Sequence, residues 1–276
     1  MSVSVLILTY NEEVNLQKCL ESVAFSDDVW VLDSQSSDQT VAIARSGGAT
    51  VLTRAFDNYA AQRMYGLQQD FKHDWILMLD ADERISPELA TEIQSVIQSN
   101  NSSVTLYRVR RKDMFMGKWL RRSSGYPTWF GRLFRRGKVR VEREVNEEYY
   151  TDGKVGLLRE HLIHYPFNKG IEYWITRHNI YSSMETDRLE MELSSQSIPW
   201  KLFLNKDPML RRRALKQFAY RMPFRPFGAF IYLYIVRGGF LDGAAGFRFS
   251  TMRAAYEFMI DIKLQEARYR RKNEQG

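Results

Sequence analysis

Residues 75–83, Trp75-Ile76-Leu77-Met78-Leu79-Asp80-Ala81-Asp82-Glu83, decide how this chain is read. An unbroken apolar run that ends abruptly in carboxylates reads as a strand buried on both faces, which is what a parallel sheet covered by helices requires. Pro87 follows and opens a helix over 88–99, with Leu89, Ile93, Val96 and Ile97 on its apolar positions. Toward the N-terminus, residues 3–8 (VSVLIL) form a first strand, and 14–23 carry Val14, Leu16, Cys19, Leu20 and Val23 at near-helical spacing. A second strand at 29–32, a helix over 40–46 and a third strand at 50–52 continue the alternation. The expected fold is α/β, a mostly parallel central sheet with helices on both faces.

After Asn100 the character changes. Between Arg108 and Arg140 there are twelve basic residues, one acid (Asp113) and six aromatics. Short strands at 104–109, 130–135 and 155–158 predict an antiparallel extension of the sheet edge. From about 170 the pattern is mostly helical, with a loop around 194–199. The expected division is 1–165, made of halves 1–100 and 101–165, followed by a helical region 166–276.

Composition sets the outer bounds. The 276 residues, 44% apolar and 13% aromatic, exclude a disordered tail, a collagen-like polymer and a disulfide-stapled miniprotein. Forty Lys and Arg against thirty-three Asp and Glu leave a charge of +7, which favours anionic partners. From Lys206 to Gly276 the excess is +9, so residues 1–205 carry −2. Cys19, the single cysteine, rules out an internal disulfide and a Cys-rich metal site and points to a reducing, cytoplasmic setting. The N-terminal run lacks a basic flank and a small-residue cleavage site, so it is expected to be a strand rather than a signal peptide. No run approaches the roughly 20 apolar residues that span a bilayer; the longest, 229–236, stops at Arg237.

In a parallel sheet, substrates bind beyond the carboxyl ends of the strands, where the chain leaves as loops. Asp33 lies just past the second strand, and Asp80 and Asp82 just past the fourth, so the three should converge on one crevice. With only Ala81 between them, Asp80 and Asp82 can turn toward one hard divalent ion whose other positions go to waters and phosphate oxygens. Such an ion would neutralise charge developing on a departing diphosphate. One Asp after a strand is an ordinary turn former, and Asp38 before Thr40 reads that way. The order carries the signal: LTYNEE after the first strand, VLDSQSSDQT after the second, ILMLDADE at the fourth. His161 and His164 come without a third ligand at metal spacing and read as core or hydrogen-bonding histidines. For Trp119, Tyr126 and Trp129, stacking on a sugar and packing in the core stand level.

These segments resemble the nucleotide-sugar-dependent glycosyltransferases of family 2, and more narrowly the bacterial enzymes of lipopolysaccharide core, capsule and exopolysaccharide, including the core glucosyltransferase branch. Val5 to Val14 resembles the opening strand and loop, which puts Thr9, Asn11 and Glu12 at the donor nucleotide. Asp33 to Thr40 resembles the segment whose first Asp contacts the base. Asp80-Ala81-Asp82 resembles the DxD metal motif, with Asp82 on the ion and Asp80 near the ribose or the ion. The likeness continues through Trp129–Arg136, 177–188, FLDGAAGF (240–247) and YEF (256–258). It implies a GT-A fold, a nucleotide-binding half over 1–100, an acceptor-side half over 101–165, Mg²⁺ or Mn²⁺, and inverting chemistry. It also implies a nucleoside diphosphate sugar donor, with UDP-glucose or a similar hexose favoured, and a lipid-linked or lipopolysaccharide saccharide acceptor.

Two places depart from the family pattern. The base, usually in a His-Glu pair, falls here in Val145-Asn146-Glu147-Glu148; Glu147 is the expected base, with Glu142, Glu144 and Glu148 as alternatives. Gln62-Arg63-Met64 replaces Gln-Lys-Asn, leaving Arg63 to pair with phosphate through a planar fork rather than a point charge. Arg132 and Arg135 flank Leu133-Phe134 and are expected at the diphosphate or an anionic acceptor. A solvated basic edge is the equal alternative for that pair.

The tail mixes charge and bulk. Lys206 to Arg225 sets seven cations among Leu210, Leu215, Phe218 and Met222, and 226–249 adds aromatics and the Gly238-Gly239 hinge, a pattern suited to a membrane interface. The expectation is an enzyme peripheral on the inner face of the cytoplasmic membrane, with an oligomer contact as the other use of the tail. Two rival functions are weaker. A nucleotidyltransferase acting on sugar phosphates normally needs a Gly-rich phosphate loop, which LTYNEEVN does not offer. A nucleic-acid module is suggested by 108–140, but the acids line the crevice, so no nucleic-acid partner is expected.

Overall fold

The computed structural model describes residues 2–99, 102–142, 148–195 and 224–274. The chain divides into two compact units, one of Met1–Met114 with Tyr126–Asn168 and one of Phe115–Gly125 with Lys169–Gly276.

The first unit is built on β1 (Ser4–Thr9), α1 (Glu13–Ser22), β2 (Val29–Asp33), α2 (Thr40–Ser46), β3 (Thr50–Thr53), α3 (Tyr59–Leu67), β4 (Trp75–Asp80), β5 (Glu83–Ile85), α4 (Pro87–Gln98) and β6 (Val104–Phe115). The two-residue β7 (Lys118–Trp119) falls in the second unit, and the first resumes with β8 (Trp129–Arg135), β9 (Arg140–Glu142), β10 (Glu148–Tyr150) and β11 (Lys154–His164). The main sheet runs β3-β2-β1-β4-β8-β6-β11-β5. Its β3-β2-β1-β4 half is parallel. β8 then pairs antiparallel with both β4 and β6, so the expected antiparallel extension is present. β11 returns parallel to β6, and β5 lies antiparallel on its outer side.

Strand alternation explains the unbroken apolar runs. Val5, Ile7, Val31, Leu77 and Leu79 enter one core with Leu16 and Cys19 of α1, Ala44 of α2, and Leu89, Ile93 and Ile97 of α4. Their neighbours Leu6, Leu32, Ile76 and Met78 enter a second core on the other face, with Leu67 and Phe71. Both pleat faces are covered, so every position is apolar. α4 starts as expected, with Ser86 Oγ accepting from the Leu89 N–H at 3.2 Å and Pro87 in the first turn. α3 was not legible from periodicity, because its buried face is Gln62, Arg63, Gly66 and Leu67 rather than an apolar stripe. Gly66 lets the helix lie close to β1, since a Cβ would sit 2.6 Å from Leu6 Cδ2 and force that side chain to shift.

The second unit joins α5 (Gly170–Ser195) to α6 (Arg225–Ile231), a π-helical turn (Tyr232–Val236), a 3₁₀ turn (Gly239–Asp242) and α7 (Gly243–Glu274). Lys263 Nζ of α7 ties α5 down by donating to Asn179 O, Asn179 Oδ1 and the Ser182 and Ser183 hydroxyls at 2.7–2.8 Å. Gly238, with φ +75°, makes the expected bend. The division differs from the expected 165/166 boundary in that the first unit runs to Asn168 and 115–125 belong with the helices. The reason is Asp242, 3% exposed, whose carboxylate accepts from the backbone N–H groups of Arg121 (3.2 Å), Arg122 (2.9 Å) and Ser123 (2.8 Å) and from Ser123 Oγ (2.8 Å). Asp242→Ala strands these buried donors and is expected to cost about 3 kcal/mol. Urea denaturation showing a loss under about 1 kcal/mol, less than one charged hydrogen bond, would contradict this account. Of the expected 206–225 segment, 206–223 lie outside the described residues. None of the described helices is long and apolar enough to cross a membrane.

Candidate active site

The carboxyl ends of β1, β2 and β4 lie side by side, with Thr9 registered to Asp33 and Leu8 to Asp80. Here the sequence-predicted residues meet. Asp33, fully buried, accepts from Thr9 Oγ1 (3.0 Å), Ser36 N (2.8 Å) and Ser36 Oγ (2.5 Å). Asn11 takes a left-handed φ of 52°, and its Oδ1 accepts from Ser37 N at 2.8 Å while its own N–H donates to Ser36 Oγ at 2.8 Å. The Glu12 N–H donates to Thr40 Oγ1 at 2.7 Å. These bonds fasten the loop after β1 to the loop after β2. Asp38 is the local turn former expected, its Oδ1 accepting from the Thr40 N–H at 3.0 Å.

Asp80 is gripped from two sides. Arg63 Nη2 donates to Oδ1 at 3.0 Å and Arg132 Nη2 to Oδ2 at 2.7 Å, while the same Arg132 nitrogen lies 2.7 Å from Glu83 Oε1. Glu83, with no exposed surface, also accepts from the Asp80 N–H at 3.1 Å. Burial raises the Asp80 carboxyl, but Arg63 and Arg132 outweigh it and hold the group well below the usual carboxylate range. Arg132 in turn is held charged by Glu83 and Asp80 against the cost of its own burial.

Asp82 meets a residue the sequence reading left out of the site. His164, the last residue of β11, places Nε2 at 3.3 Å from Asp82 Oδ2 and Nδ1 at 2.7 Å from Asp113 Oδ1. Arg111 Nε lies 2.9 Å from the same Asp113 oxygen. Burial and Arg111 push the His164 imidazolium down, yet Asp82 and Asp113 carry it up to about 9. Burial raises Asp82, and the facing imidazole more than reverses that. Arg84, 7% exposed, fixes the turn between the aspartates: Nη1 donates to Ala81 O (2.7 Å) and Glu83 O (2.8 Å), and Nη2 to Asn15 O (2.7 Å). His164, Asp113, Glu83 and Arg84 left no usable motif. His164 reaches the site through strand register, paired with Glu83 of β5 and with Asp113 of β6.

Two expectations fall differently. Arg135 is not brought to the site. Antiparallel pairing registers it with Trp75, at the opposite end of β4 from Asp80, where it stacks over the Trp75 ring at 5.7 Å. Its odd spacing from Arg132 also sends the two side chains to opposite faces of β8. Glu147 and Glu144 lie outside the described residues, while Glu142 and Glu148 are register partners across β9 and β10. His161 is the hydrogen-bonding histidine expected, with Nε2 2.8 Å from Tyr126 Oη and its pKa pushed down to about 4 by burial. Trp129 lies under Arg110 and Trp119 under Arg121, at 5.3 and 5.5 Å.

Among the described residues no three His, Cys, Asp or Glu side chains form a ready metal cluster. The donor set at Asp82 nevertheless suits a divalent ion. With Nδ1 committed to Asp113, the outer-shell arrangement of metal-bound histidines, His164 turns Nε2 toward the Asp82 carboxylate, and the two need a proton or a cation between them. Asp80 is different, since both its oxygens are already engaged by arginines.

The family model for Glycosyl transferase family 2 matches residues 4–165, and the chain belongs to this family. It is a nucleotide-sugar-dependent glycosyltransferase, and its part-parallel sheet with an antiparallel extension is the GT-A fold that the resemblance implied. Its relatives include the lipopolysaccharide core biosynthesis glycosyltransferase LpsC of Rhizobium meliloti, 26% identical over 275 residues that cover 96% of this chain and 93% of that protein. The uncharacterized glycosyltransferase RC0292 of Rickettsia conorii is 28% identical over 289 residues, 98% of this chain and 92% of that one. Among solved structures, mannosyl-3-phosphoglycerate synthase from Rubrobacter xylanophilus gives a TM-score of 0.36 at 19% identity, covering 41% of each chain.

Proposed function

We infer that the enzyme moves a hexosyl group from a nucleoside diphosphate sugar, UDP-glucose or a similar donor, to a hydroxyl of a lipid-linked or lipopolysaccharide saccharide, with inversion. The observation that carries this reading is the Asp82–His164–Asp113 chain set beside an Asp80 held between Arg63 and Arg132. The name of LpsC, a relative over nearly the whole length, supports a lipopolysaccharide core acceptor.

Asp82 and His164 would hold Mg²⁺ or Mn²⁺, which supplies neutralisation of the charge appearing on the leaving diphosphate. Arg63 and Arg132 add fixed positive charge beside it, preorganised by burial and by Asp80 and Glu83. Thr9, Asn11, Glu12 and Asp33 form the loop pair that receives the nucleotide. Glu147 accepts the proton of the acceptor hydroxyl as that oxygen attacks the anomeric carbon. The bond from that carbon to the diphosphate oxygen breaks on the opposite face, and its electron pair leaves with the nucleoside diphosphate. One displacement inverts the centre and needs a single base, unlike the two carboxylates of a glycosidase.

Glu147→Gln is expected to remove at least about 99% of turnover, the lower range for loss of a general base, while donor affinity stays within about twofold. Full activity would remove Glu147 from this role and pass it to Glu142, Glu144 or Glu148. The test of the whole reading is a panel of nucleotide sugars incubated with the purified chain, with and without Mg²⁺ or Mn²⁺. Metal-dependent release of nucleoside diphosphate from one donor is the expected result. Failure of every donor to bind in a metal-dependent way would overturn it.

A further inference from the structure

Residues 224–241 carry an apolar ridge that the described residues of the second unit leave exposed. Phe227, Ile231 and Ile235 follow one another at four-residue spacing along α6 and the π-helical turn, and Val236, Phe240 and Leu241 continue the ridge around the Gly238 bend. The least exposed of these six keeps 50% of its surface open and the most exposed 69%. The ridge is not a frayed end. Its inner side is packed, with Phe230 and Tyr234 set edge-on against Phe247 of α7 at 5.8 and 5.5 Å and Tyr234 against Phe240 at 6.4 Å. Below the bend, the Asp242 carboxylate fixes the backbone of Arg121–Ser123.

Among the described residues, the exposed charges of the segments that carry and flank the ridge have one sign. Segments 115–125 and 224–256 contain seven Lys and Arg and a single acid, Asp242. That acid is buried and consumed by hydrogen bonds. Lys118, Arg121, Arg122 and Arg248 are exposed, and Lys118 Nζ would lie 3.3 Å from a Cβ at Gly243. Arg225 is turned inward onto Glu257.

We propose that this ridge docks the enzyme on an anionic phospholipid surface, with Phe227, Ile231, Ile235, Val236, Phe240 and Leu241 entering the headgroup boundary and the surrounding cations meeting lipid phosphates. An apolar strip bordered by cations without exposed carboxylates is complementary to such a surface. A second copy of the same face would offer it only like charge. The ridge would lie in the plane of the surface, and none of the described helices is long and apolar enough to cross a bilayer.

The full chain is mixed with vesicles of phosphatidylcholine alone or with added phosphatidylglycerol and sedimented, at low and at high salt. Binding to the phosphatidylglycerol vesicles, weakened by salt, is expected. Combined Phe227→Ser, Ile231→Ser and Ile235→Ser, all at exposed positions, should lower that binding at least tenfold while the circular dichroism spectrum and metal-dependent donor turnover stay unchanged. Arg121→Glu with Arg248→Glu should lower it at least about 25-fold, since each cation near the surface is worth roughly fivefold. Equal binding to both vesicle types, or serine variants that bind as well as the parent, would overturn the proposal. So would a parent dimer that fails to bind vesicles and becomes monomeric in the serine variant, which would assign the ridge to self-association. The sedimentation needs neither donor nor acceptor, so its failure leaves the reading of glycosyl transfer standing, and the reverse also holds.

Discussion

Asp82→Asn is expected to lower kcat/KM for sugar transfer by more than about 100-fold, the upper end of what loss of an outer-shell metal partner costs. The argument rests on where its carboxylate points. Asp82 Oδ2 faces His164 Nε2 at 3.3 Å, and His164 is oriented by Asp113 at 2.7 Å, so the amide removes one of the two groups that would hold the ion. Asp113→Asn acts through His164 and should cost about 10- to 100-fold, with more Mg²⁺ or Mn²⁺ needed to reach half-maximal rate. Titrating the metal against initial rate for both variants separates the two effects. An Asp82→Asn enzyme with the parent's rate and metal requirement would remove the ion from this position.

Arg132→Met is expected to destabilise the fold by about 3–5 kcal/mol, the range for breaking a buried ion pair from one side. Arg132 is 3% exposed, and its Nη2 lies 2.7 Å from both Asp80 and Glu83. Methionine fills much of the volume but leaves Glu83, with no exposed surface, facing Arg111 at 3.8 Å and the Asp80 N–H among the described residues. Adding Glu83→Gln should return part of the loss, because the stranded charge disappears, and this coupling distinguishes a charge effect from lost packing. Urea midpoints for the two singles and the double give the coupling directly. Additive losses would mean that the pair is not a unit.

Arg63 and Arg132 also show how motif and environment divide the information in this chain. Arg63 could be singled out because it stands where the family pattern that the sequence resembles has lysine. Only the folded chain shows that it reaches across to Asp80 from α3, a helix whose buried face is polar and so hides from hydrophobic periodicity. Arg132 and Arg135 look equivalent as a flanking pair. The antiparallel register of β8 on β4 separates them, leaving one beside the carboxylates and the other beside Trp75. His161 and His164 look equivalent too, yet one bonds Tyr126 and the other closes on Asp82.

By itself, the sequence determined the alternating α/β order, the parallel half of the sheet, the carboxylates at its strand ends and the family. Those follow from local signals: apolar runs that both pleat faces must bury, proline and serine at a helix start, and short acidic motifs directly after strands. Tertiary structure alone decided that His164 and Asp113 join Asp82, that Arg135 stays out, and that residues 115–125 belong with the C-terminal helices through Asp242. Each of these is a contact between positions at least 51 residues apart. Such contacts are set by strand register and by buried hydrogen bonds, and neither leaves a periodic trace in the chain.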